Sequence, residues 1–466
     1  MSELVEAPGL LDRALRRVTA LWRDVAGGEP VADLAEQMRA CLAGKGGEVS
    51  ARGRAAGLAQ AYLGLDAEGR GAFLRTLAGF DSDMEAARAA WAQVAEAATP
   101  VERAVAKARL RRALEPPRLR LLTQFTGIPD GMKFLVDLRA ELLMLTKGDA
   151  MLQALEADLR GLLASWFDLG FLELRRVDWS SPANLLEKLV GYEAVHRIRG
   201  WRDLKNRLDS DRRCYAFFHP RMPDEPLIFV EVALVKGMAD SVQRLLDEKA
   251  PVQDPAEADT AIFYSINNCQ RGLDGISFGN FLIKRVVTLL SAEFRNLKTF
   301  ATLSPMPGFR RWLEEKLAVG DAGLLTEEEA VPIRLALGEL APAGETPVAA
   351  LARALERRGW PRQEGLAKLL EPILLRAAAR YLMTESAGRG RRVRDPVGHF
   401  HLSNGARVER LNWRGDVSEK GFRESHALMV NYLYDPAKIE EYHEDYAGEG
   451  KRAASSAVKK LAKGFL

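Results

Sequence analysis

A serine in a proline-rich turn is one of the residues of this sequence that could take part in chemistry. In segment 300–309, FATLSPMPGF, an apolar run ends at Ser304, and Pro305 and Pro307 exclude regular helix and strand for several residues. The hydroxyl is either a turn or helix-capping group or an active-site group. No Gly-x-Ser-x-Gly elbow surrounds it, so the usual hydrolase pattern is absent.

A glycine-rich segment, QRGLDGISFG at 270–279, lies between a predicted strand and a predicted helix. Its glycines let the backbone approach a ligand closely, and the free N–H groups that begin the next helix favour a phosphate. The pattern matches neither the dinucleotide fingerprint nor the P-loop, so by itself it favours an ordinary glycine turn. Lys284 and Arg285, just inside the helix, either contact phosphates or lie on a solvated face.

Two histidines, His399 and His401, precede an Asn404-Gly405 pair that suits a type I′ turn. Segment 400–408, FHLSNGARV, is therefore predicted to form a β-hairpin, with both imidazoles on one strand face. No carboxylate or cysteine stands at a supporting spacing, so we predict no metal site. Each histidine is either a structural residue or a proton donor with a near-neutral pKa.

The segment NYLYDP at 431–436 places Tyr432 and Tyr434 on one face of a predicted strand. We interpret both as core aromatic residues whose hydroxyls reach a polar partner.

Aromatic and β-branched runs, bounded by Pro, Gly or Asp, must position these groups. Strands are predicted at 214–218, 227–235, 260–266 and 299–303, and helices at 281–297 and 308–317. Strand and helix alternate, which indicates a mixed α/β layer.

Helical spacing dominates elsewhere. Residues 1–195 are rich in Ala, Leu and Arg, with apolar residues three and four apart, and Thr99-Pro100-Val101-Glu102 marks a helix start. Residues 318–390 are predicted to be a helical insertion beside the sheet. A chain of 466 residues exceeds one ordinary core, so we predict a helical domain at 1–195 and a second domain, which contains the sheet, at 196–466.

Charge and hydropathy exclude several classes of protein. The 67 basic and 64 acidic residues are balanced, which argues against a nucleic-acid partner. No run of eighteen apolar residues occurs, so no membrane-spanning helix is predicted. The three cysteines have no metal-ligand spacing, and the N-terminal segment does not resemble an export signal, so we expect reduced thiols and a cytoplasmic location.

Five segments, in order, together resemble the malonyl-CoA decarboxylase family. They are YEAVHRIRGWRDLKNRL at 192–208, EPLIFVEVALVKG at 225–237, AIFYSINNCQRGLDGISFGNFLIKRVV at 261–287, LSPMPGF at 303–309 and HFHLSNGARVERLNWRGDVSEKGFRESHALMVNYLYDP at 399–436. Ordered motifs over much of the chain are far more specific than any one of them.

The resemblance implies a multi-domain α and α/β protein. An all-helical N-terminal domain would serve oligomerisation, as a homo-oligomer and by resemblance a tetramer. The second domain, 196–466, would be the catalytic, acyl-CoA-binding domain. Its mixed sheet would have the Gcn5-related N-acetyltransferase fold, which holds coenzyme A between two splayed strands. The family's glycine loop, which contacts the coenzyme A diphosphate, corresponds to Arg271, Gly272, Asp274, Gly275, Ile276, Ser277, Phe278, Gly279 and Asn280.

The same resemblance assigns the catalytic roles to Ser304, His401 and Tyr434. It departs from the animal enzymes at Ser277, where they have an acidic residue, and in the absence of a recognisable mitochondrial presequence.

The implied reaction is decarboxylation of malonyl-CoA to acetyl-CoA and CO2, with Ser304 positioning the carboxylate and His401 protonating the enolate. Because the thioester is itself the electron sink, we expect no cofactor. Two alternatives stay open: an acyl-CoA N-acyltransferase on the same scaffold, and an interaction scaffold whose coenzyme A domain is inert.

Overall fold

The computed structural model describes residues 33–43, 48–276, 282–338, 342, 344–357, 359–388 and 390–465. The first 32 residues of the predicted helical domain lie outside this part of the chain. So do four residues of the predicted coenzyme A loop, Ser277, Phe278, Gly279 and Asn280.

The N-terminal region is helical, as predicted. Its helices are α1 Leu34–Leu42, α2 Glu48–Gly64, α3 Ala67–Ala78, α4 Met84–Glu96, α5 Pro100–Leu114, α6 Pro117–Phe125, α7 Gly131–Leu145 and α8 Ala150–Trp166. The predicted start of α5 is confirmed, since Thr99 and Glu102 form a reciprocal capping box. Buried leucines of α7 and α8, such as Leu135 and Leu155, pack into the same apolar core as the sheet.

One strand interrupts the range for which we predicted only helices. Strand β1, Glu173–Val177, pairs antiparallel with β2. Two helices, α9 Ala183–Tyr192 and α10 Trp201–Arg207, follow it before the main run of strands.

The sheet contains all the strands predicted from aromatic and β-branched runs. These are β2 Arg212–His219, β3 Met222–Val235, β4 Thr260–Asn268 and β5 Thr299–Thr302, followed by β6 Ser304–Pro305, β7 Arg407–Asn412 and β8 Met429–Leu433. The strand order is β1-β2-β3-β4-β5-β8-β6, and β7 also pairs with β8. The pairing is antiparallel except between β4 and β5. Helices α11 Val242–Leu245, α12 Leu282–Glu293 and α13 Phe309–Ala318 connect these strands.

Strands β4 and β5 run side by side for only four residues. Their register begins at Thr260 opposite Thr299 and ends at Phe263 opposite Thr302. The Leu303 N–H still donates to the Phe263 carbonyl at 3.0 Å. Beyond this point β4 continues to Asn268, whereas the segment after β5 forms β6, which pairs with β8. The two strands therefore part within the sheet, and Ser304 stands where they separate.

The predicted insertion at 318–390 is helical. It contains α14 Glu327–Leu337, α15 Pro347–Glu356 and α16 Glu364–Met383. Tyr381 and Leu382, in the last turn of α16, are buried in the main core. The predicted fold class, a helical region followed by a mixed sheet with a helical insertion, is confirmed.

The predicted hairpin at 400–408 is wrong. Residues Pro396–Ser403 form helix α17, and only the second half of the segment enters a strand, β7. Asn404-Gly405 ends the helix instead of turning a hairpin: Gly405 has φ +79°, its N–H donates to Leu402, and the Ala406 N–H donates to His401. This is the Schellman ending of a helix, for which a left-handed glycine is as suitable as it is for a type I′ turn.

The remaining helices are α18 Glu419–Ser425, α19 Ile439–Glu449 and α20 Ser456–Leu461. Within the described ranges no helix is long and apolar enough to cross a membrane, and no group of three or more His, Cys, Asp or Glu side chains could hold a metal ion. The three cysteines are unpaired and buried.

Candidate active site

Ser304 lies in β6 at the parting of β4 and β5, and it is buried. Its Oγ is 2.8 Å from Thr302 Oγ1 and 3.0 Å from His401 Nε2. The rigid Ser-Pro-Met-Pro turn therefore presents the hydroxyl to an imidazole that is 97 residues distant in the chain.

His401 occupies the last turn of α17 and is 2 % exposed. Its Nδ1 is 2.8 Å from the Tyr434 hydroxyl, and its ring stacks on Tyr432 with centroids 4.5 Å apart. As alternation predicted, both tyrosines project from one face of β8 and its continuation, and this face covers the imidazole. The structure thus brings Ser304, His401 and Tyr434 into one buried chain of hydrogen bonds.

His399 does not share this environment, so the predicted common face of the two histidines is wrong. Because the segment is helical, residues two apart point about 200° apart around the axis. His399 Nδ1 instead contacts the Tyr446 hydroxyl at 2.9 Å.

Burial determines the protonation states of the hydrogen-bonded side chains. Burial lowers the pKa of His401 to about 3, so the imidazole is neutral at physiological pH. Burial also raises the pKa of Tyr434 well above its ordinary value, which keeps its hydroxyl protonated. In one consistent arrangement Tyr434 donates to Nδ1, His401 Nε2–H donates to Ser304, and Ser304 donates to Thr302.

Thr302 was missed in the sequence. Its side chain is fully buried, and Oγ1 also accepts the Tyr432 N–H at 3.1 Å. The Thr302 carbonyl accepts a hydrogen bond from Asn431 Nδ2 at 2.7 Å. Its position two residues before Ser304, at the end of a strand, was the available signal, because alternation favours a common face.

The helix that carries His401 begins at a residue that was also missed, Asp395. Its Oδ1 accepts the Gly398 N–H at 2.7 Å, and its Oδ2 accepts the Tyr381 hydroxyl at 3.3 Å. Burial raises the pKa of Asp395 to about 6. The available signal was Asp395-Pro396, a typical N-cap followed by proline at the first helical position.

Tyr381, of the insertion, lies between the turn that holds Ser304 and the helix that holds His401. A Cβ at Gly308, in the LSPMPGF turn, would lie 2.4 Å from the Tyr381 hydroxyl oxygen. Any larger residue at 308 would displace the Tyr381 hydroxyl, so the close approach of this α16 side chain explains the glycine. One side chain of the insertion thus contacts both the turn after Ser304 and the cap of the His401 helix.

The first part of the predicted coenzyme A loop is a short 3-10 turn, Arg271–Leu273, followed by Gly275 at φ +77°. Arg271, Asp274 and Gly275 are exposed and Ile276 is half-buried. Gly272 is buried, and a Cβ there would lie 1.7 Å from the Val136 carbonyl oxygen, so packing against α7 explains this glycine. Lys284, in the helix beyond the loop, forms an ion pair with Glu440.

The fold and site define a class of protein in which a parted pair of parallel strands ends at a buried hydroxyl, imidazole and phenol. Two family models cover most of the chain: "Malonyl-CoA decarboxylase N-terminal domain" matches residues 80–167, and "Malonyl-CoA decarboxylase C-terminal domain" matches residues 170–465. The chain belongs to the malonyl-CoA decarboxylase family.

Malonyl-CoA decarboxylases of animals are similar to this chain in sequence. The mitochondrial malonyl-CoA decarboxylase of the goose Anser anser anser is 40 % identical over 68 % of this chain and 64 % of its own length. That of Rattus norvegicus is 38 % identical over 77 % of this chain and 74 % of its own. The chain thus spans a little under two thirds of the goose protein.

Crystal structures of bacterial malonyl-CoA decarboxylases are also similar. The Rhodopseudomonas palustris structure is 41 % identical, with a TM-score of 0.81 over 92 % of this chain and 100 % of that one. The Cupriavidus metallidurans structure is 38 % identical, with a TM-score of 0.69 over 96 % of this chain and 100 % of that one.

Proposed function

We propose that this protein decarboxylates malonyl-CoA to acetyl-CoA and CO2. The observation that carries the proposal is the buried chain Ser304, His401 and Tyr434 at the parting of two parallel strands, in a member of this family. Loss of CO2 from a malonyl thioester leaves an enolate at C2. The site must therefore orient the carboxylate and then deliver a proton.

Ser304 orients the departing carboxylate. When substrate binds, the Ser304 hydroxyl turns from Thr302 and donates to a carboxylate oxygen, which holds that group out of the thioester plane so that the breaking bond overlaps the carbonyl π system. The Thr302 hydroxyl and His401 Nε2–H then both donate to Ser304 Oγ, which lies 2.8 and 3.0 Å from them, so the oxygen stays fixed from two sides.

His401 delivers the proton. The empty site favours the neutral imidazole, but a malonyl carboxylate beside it raises the pKa, because an opposite charge stabilises the imidazolium. After CO2 departs, the imidazolium N–H bond breaks and a C–H bond forms at C2, which returns His401 to the neutral form. Malonyl-CoA and one proton thus give acetyl-CoA and CO2, while Tyr434 holds the ring in place through Nδ1.

The segment from Arg271 to Asn280 holds the coenzyme A diphosphate in this proposal. Its support is the position of the segment after β4 and before α12, together with the family's loop pattern. Because residue 277 is a serine, this proposal assigns no role to a carboxylate at that position.

Incubation with malonyl-CoA alone tests the proposal. Acetyl-CoA and CO2 should appear in equal amounts, without any acceptor. Acyl transfer to an added amine, with no release in its absence, would instead establish an N-acyltransferase. No reaction in either case would indicate an inert scaffold.

We further propose that residues 1–195 mediate homo-oligomerisation, with a tetramer as the expected state, and that the protein acts in the cytoplasm. Helices α4 and α5 bury few side chains and expose Met84, Trp91 and Val101 at 59 %, 62 % and 75 %. Exposed apolar side chains on adjacent helices are typical of a subunit contact. Trp91→Glu with Val101→Glu should lower the mass measured by light scattering, whereas Leu335→Glu, at a residue 78 % exposed in the insertion, should not.

A further inference from the structure

A buried arginine of the helical region holds the turn that leads into the proposed coenzyme A loop. Arg139, on α7, is only 2 % exposed. Its Nη1 donates to the carbonyl oxygens of Gly272 at 2.6 Å and Asp274 at 2.9 Å. Two carbonyl groups of one short turn thus point at a single guanidinium.

Glu156, on α8, holds the other edge of the same guanidinium. Its Oε1 accepts hydrogen bonds from Arg139 Nε at 3.0 Å and from Nη2 at 2.7 Å. The planar fork of arginine serves both edges at once, which a flexible ammonium group does less well. Because the charge of Arg139 is paired and buried, we do not assign it a direct contact with phosphate.

The backbone of the turn also lies directly against α7. The missing side chain of Gly272 leaves room for the Val136 carbonyl, as shown by the 1.7 Å separation that a Cβ would have. No other residue fits there without moving α7 or the turn.

The direction of the Asp274 carbonyl fixes the group that follows it. In a planar trans peptide the carbonyl and the next N–H point in opposite directions. With the Asp274 oxygen turned toward Arg139, the Gly275 N–H points away from the guanidinium. Gly275 is exposed and has φ +77°, so this donor stands at the open side of the turn.

We propose that Arg139 is a positioning residue for the diphosphate of coenzyme A. It holds the turn at 271–276 so that the Gly275 N–H faces the ligand, and the helical region therefore sets the affinity for the nucleotide end of the substrate. This inference rests on the proposed function and assigns to α7 a role besides assembly.

The test compares malonyl-CoA with malonyl-pantetheine, which has the same reacting group but lacks the diphosphate. Arg139→Met should raise KM for malonyl-CoA by about tenfold or more, with kcat changed less than about threefold and kcat/KM for malonyl-pantetheine unchanged. Arg139→Lys keeps the charge beside Glu156 and should show the same split in weaker form.

Arg118→Met is the matched control. Arg118, on α6, is also buried, donates to the Ala78 carbonyl at 2.8 Å and pairs with Asp158 of α8 at 2.7 Å. It forms no hydrogen bond with the described part of the loop, residues 271–276. Its loss should lower stability without changing KM for malonyl-CoA.

An unchanged KM in Arg139→Met, or an equal loss toward both substrates, would overturn the inference. If that variant does not fold, the same two outcomes in Arg139→Lys decide. A wild-type protein that releases no acetyl-CoA would contradict the proposed function instead. Calorimetric titration with coenzyme A then still tests Arg139, since the variant should bind it more weakly and the Arg118 control should not.

Discussion

Replacing His401 with asparagine should reduce malonyl-CoA turnover by at least about a hundredfold. The imidazole joins Ser304 Oγ at 3.0 Å to the Tyr434 hydroxyl at 2.8 Å. Asparagine places an amide near the position of Nδ1 but nothing near Nε2, and it does not become a charged acid. The variant thus loses the proton donor and one of the two groups that fix Ser304.

The size of the effect follows from those two losses. General acid catalysis by a positioned side chain contributes about 10²- to 10⁴-fold. Stability should fall by about 1–3 kcal/mol, because a buried hydroxyl loses its partner and the ring no longer stacks on Tyr432. Acetyl-CoA affinity should change less than about threefold, since the proposed diphosphate contacts lie on another segment.

The assay is the release of acetyl-CoA from saturating malonyl-CoA, with acetyl-CoA binding measured by calorimetry. His401→Gln is the paired variant, because its longer amide reaches toward Nε2 and restores a partner for Ser304 without restoring the acid. Both variants should be slow. Turnover within about tenfold of wild type in His401→Gln would show that His401 acts only by orienting Ser304.

Three further changes probe the surroundings of the imidazole. Thr302→Val should lower turnover about tenfold and the unfolding free energy by about 1–3 kcal/mol, because Ser304 loses an anchor and the Tyr432 N–H loses its acceptor; unchanged kinetics would remove Thr302 from the site. Tyr434→Phe should lower kcat about tenfold or more with KM unchanged, and a rise in KM alone would contradict a role in orienting His401. Asp395→Asn keeps an N-cap acceptor without the charge. Burial raises the pKa of Asp395 to about 6, above its value in the unfolded chain, so folding favours the protonated carboxyl. As the pH rises from about 4 to about 6, the unfolding free energy of wild type should therefore fall by up to about 3 kcal/mol relative to that of this variant. Denaturant unfolding at both ends of that range checks the sign, and Asp395→Ala, which lacks the cap, should be destabilised throughout.

The sequence identified the side chains of the candidate site better than the elements that carry them. Ser304, His401 and Tyr434 were selected by family motifs and meet in the structure. The pattern predicts a hairpin where the structure has the helix that holds His401, because Asn-Gly favours two different left-handed turns. The capping pair Asp395-Pro396 should have decided between them, since it marks a helix start eight residues earlier.

Contacts across long stretches of sequence were beyond the reach of local patterns. The family pattern predicts a ligand contact at Gly272, and it gives no sign that this glycine also packs against a helix 136 residues earlier in the chain. Nothing near Arg139 in the sequence indicates that its guanidinium reaches the loop after β4. Such pairs depend on how two separately formed elements pack, which neither propensity nor spacing encodes.

The hydroxyl of Tyr381 has a consequence for how this chain tolerates changes of length. It contacts the cap of the His401 helix and occupies the space over Gly308, so both halves of the site share it. Helices α14 and α15 also bury side chains in the main core, among them Ile333 and Leu351. A change of even one residue within the last turns of α16 would rotate Tyr381 away by about 100°. Because Tyr381 joins the Ser304 turn to the Asp395 cap, the candidate site fixes the length of α16 as strictly as that of the strands.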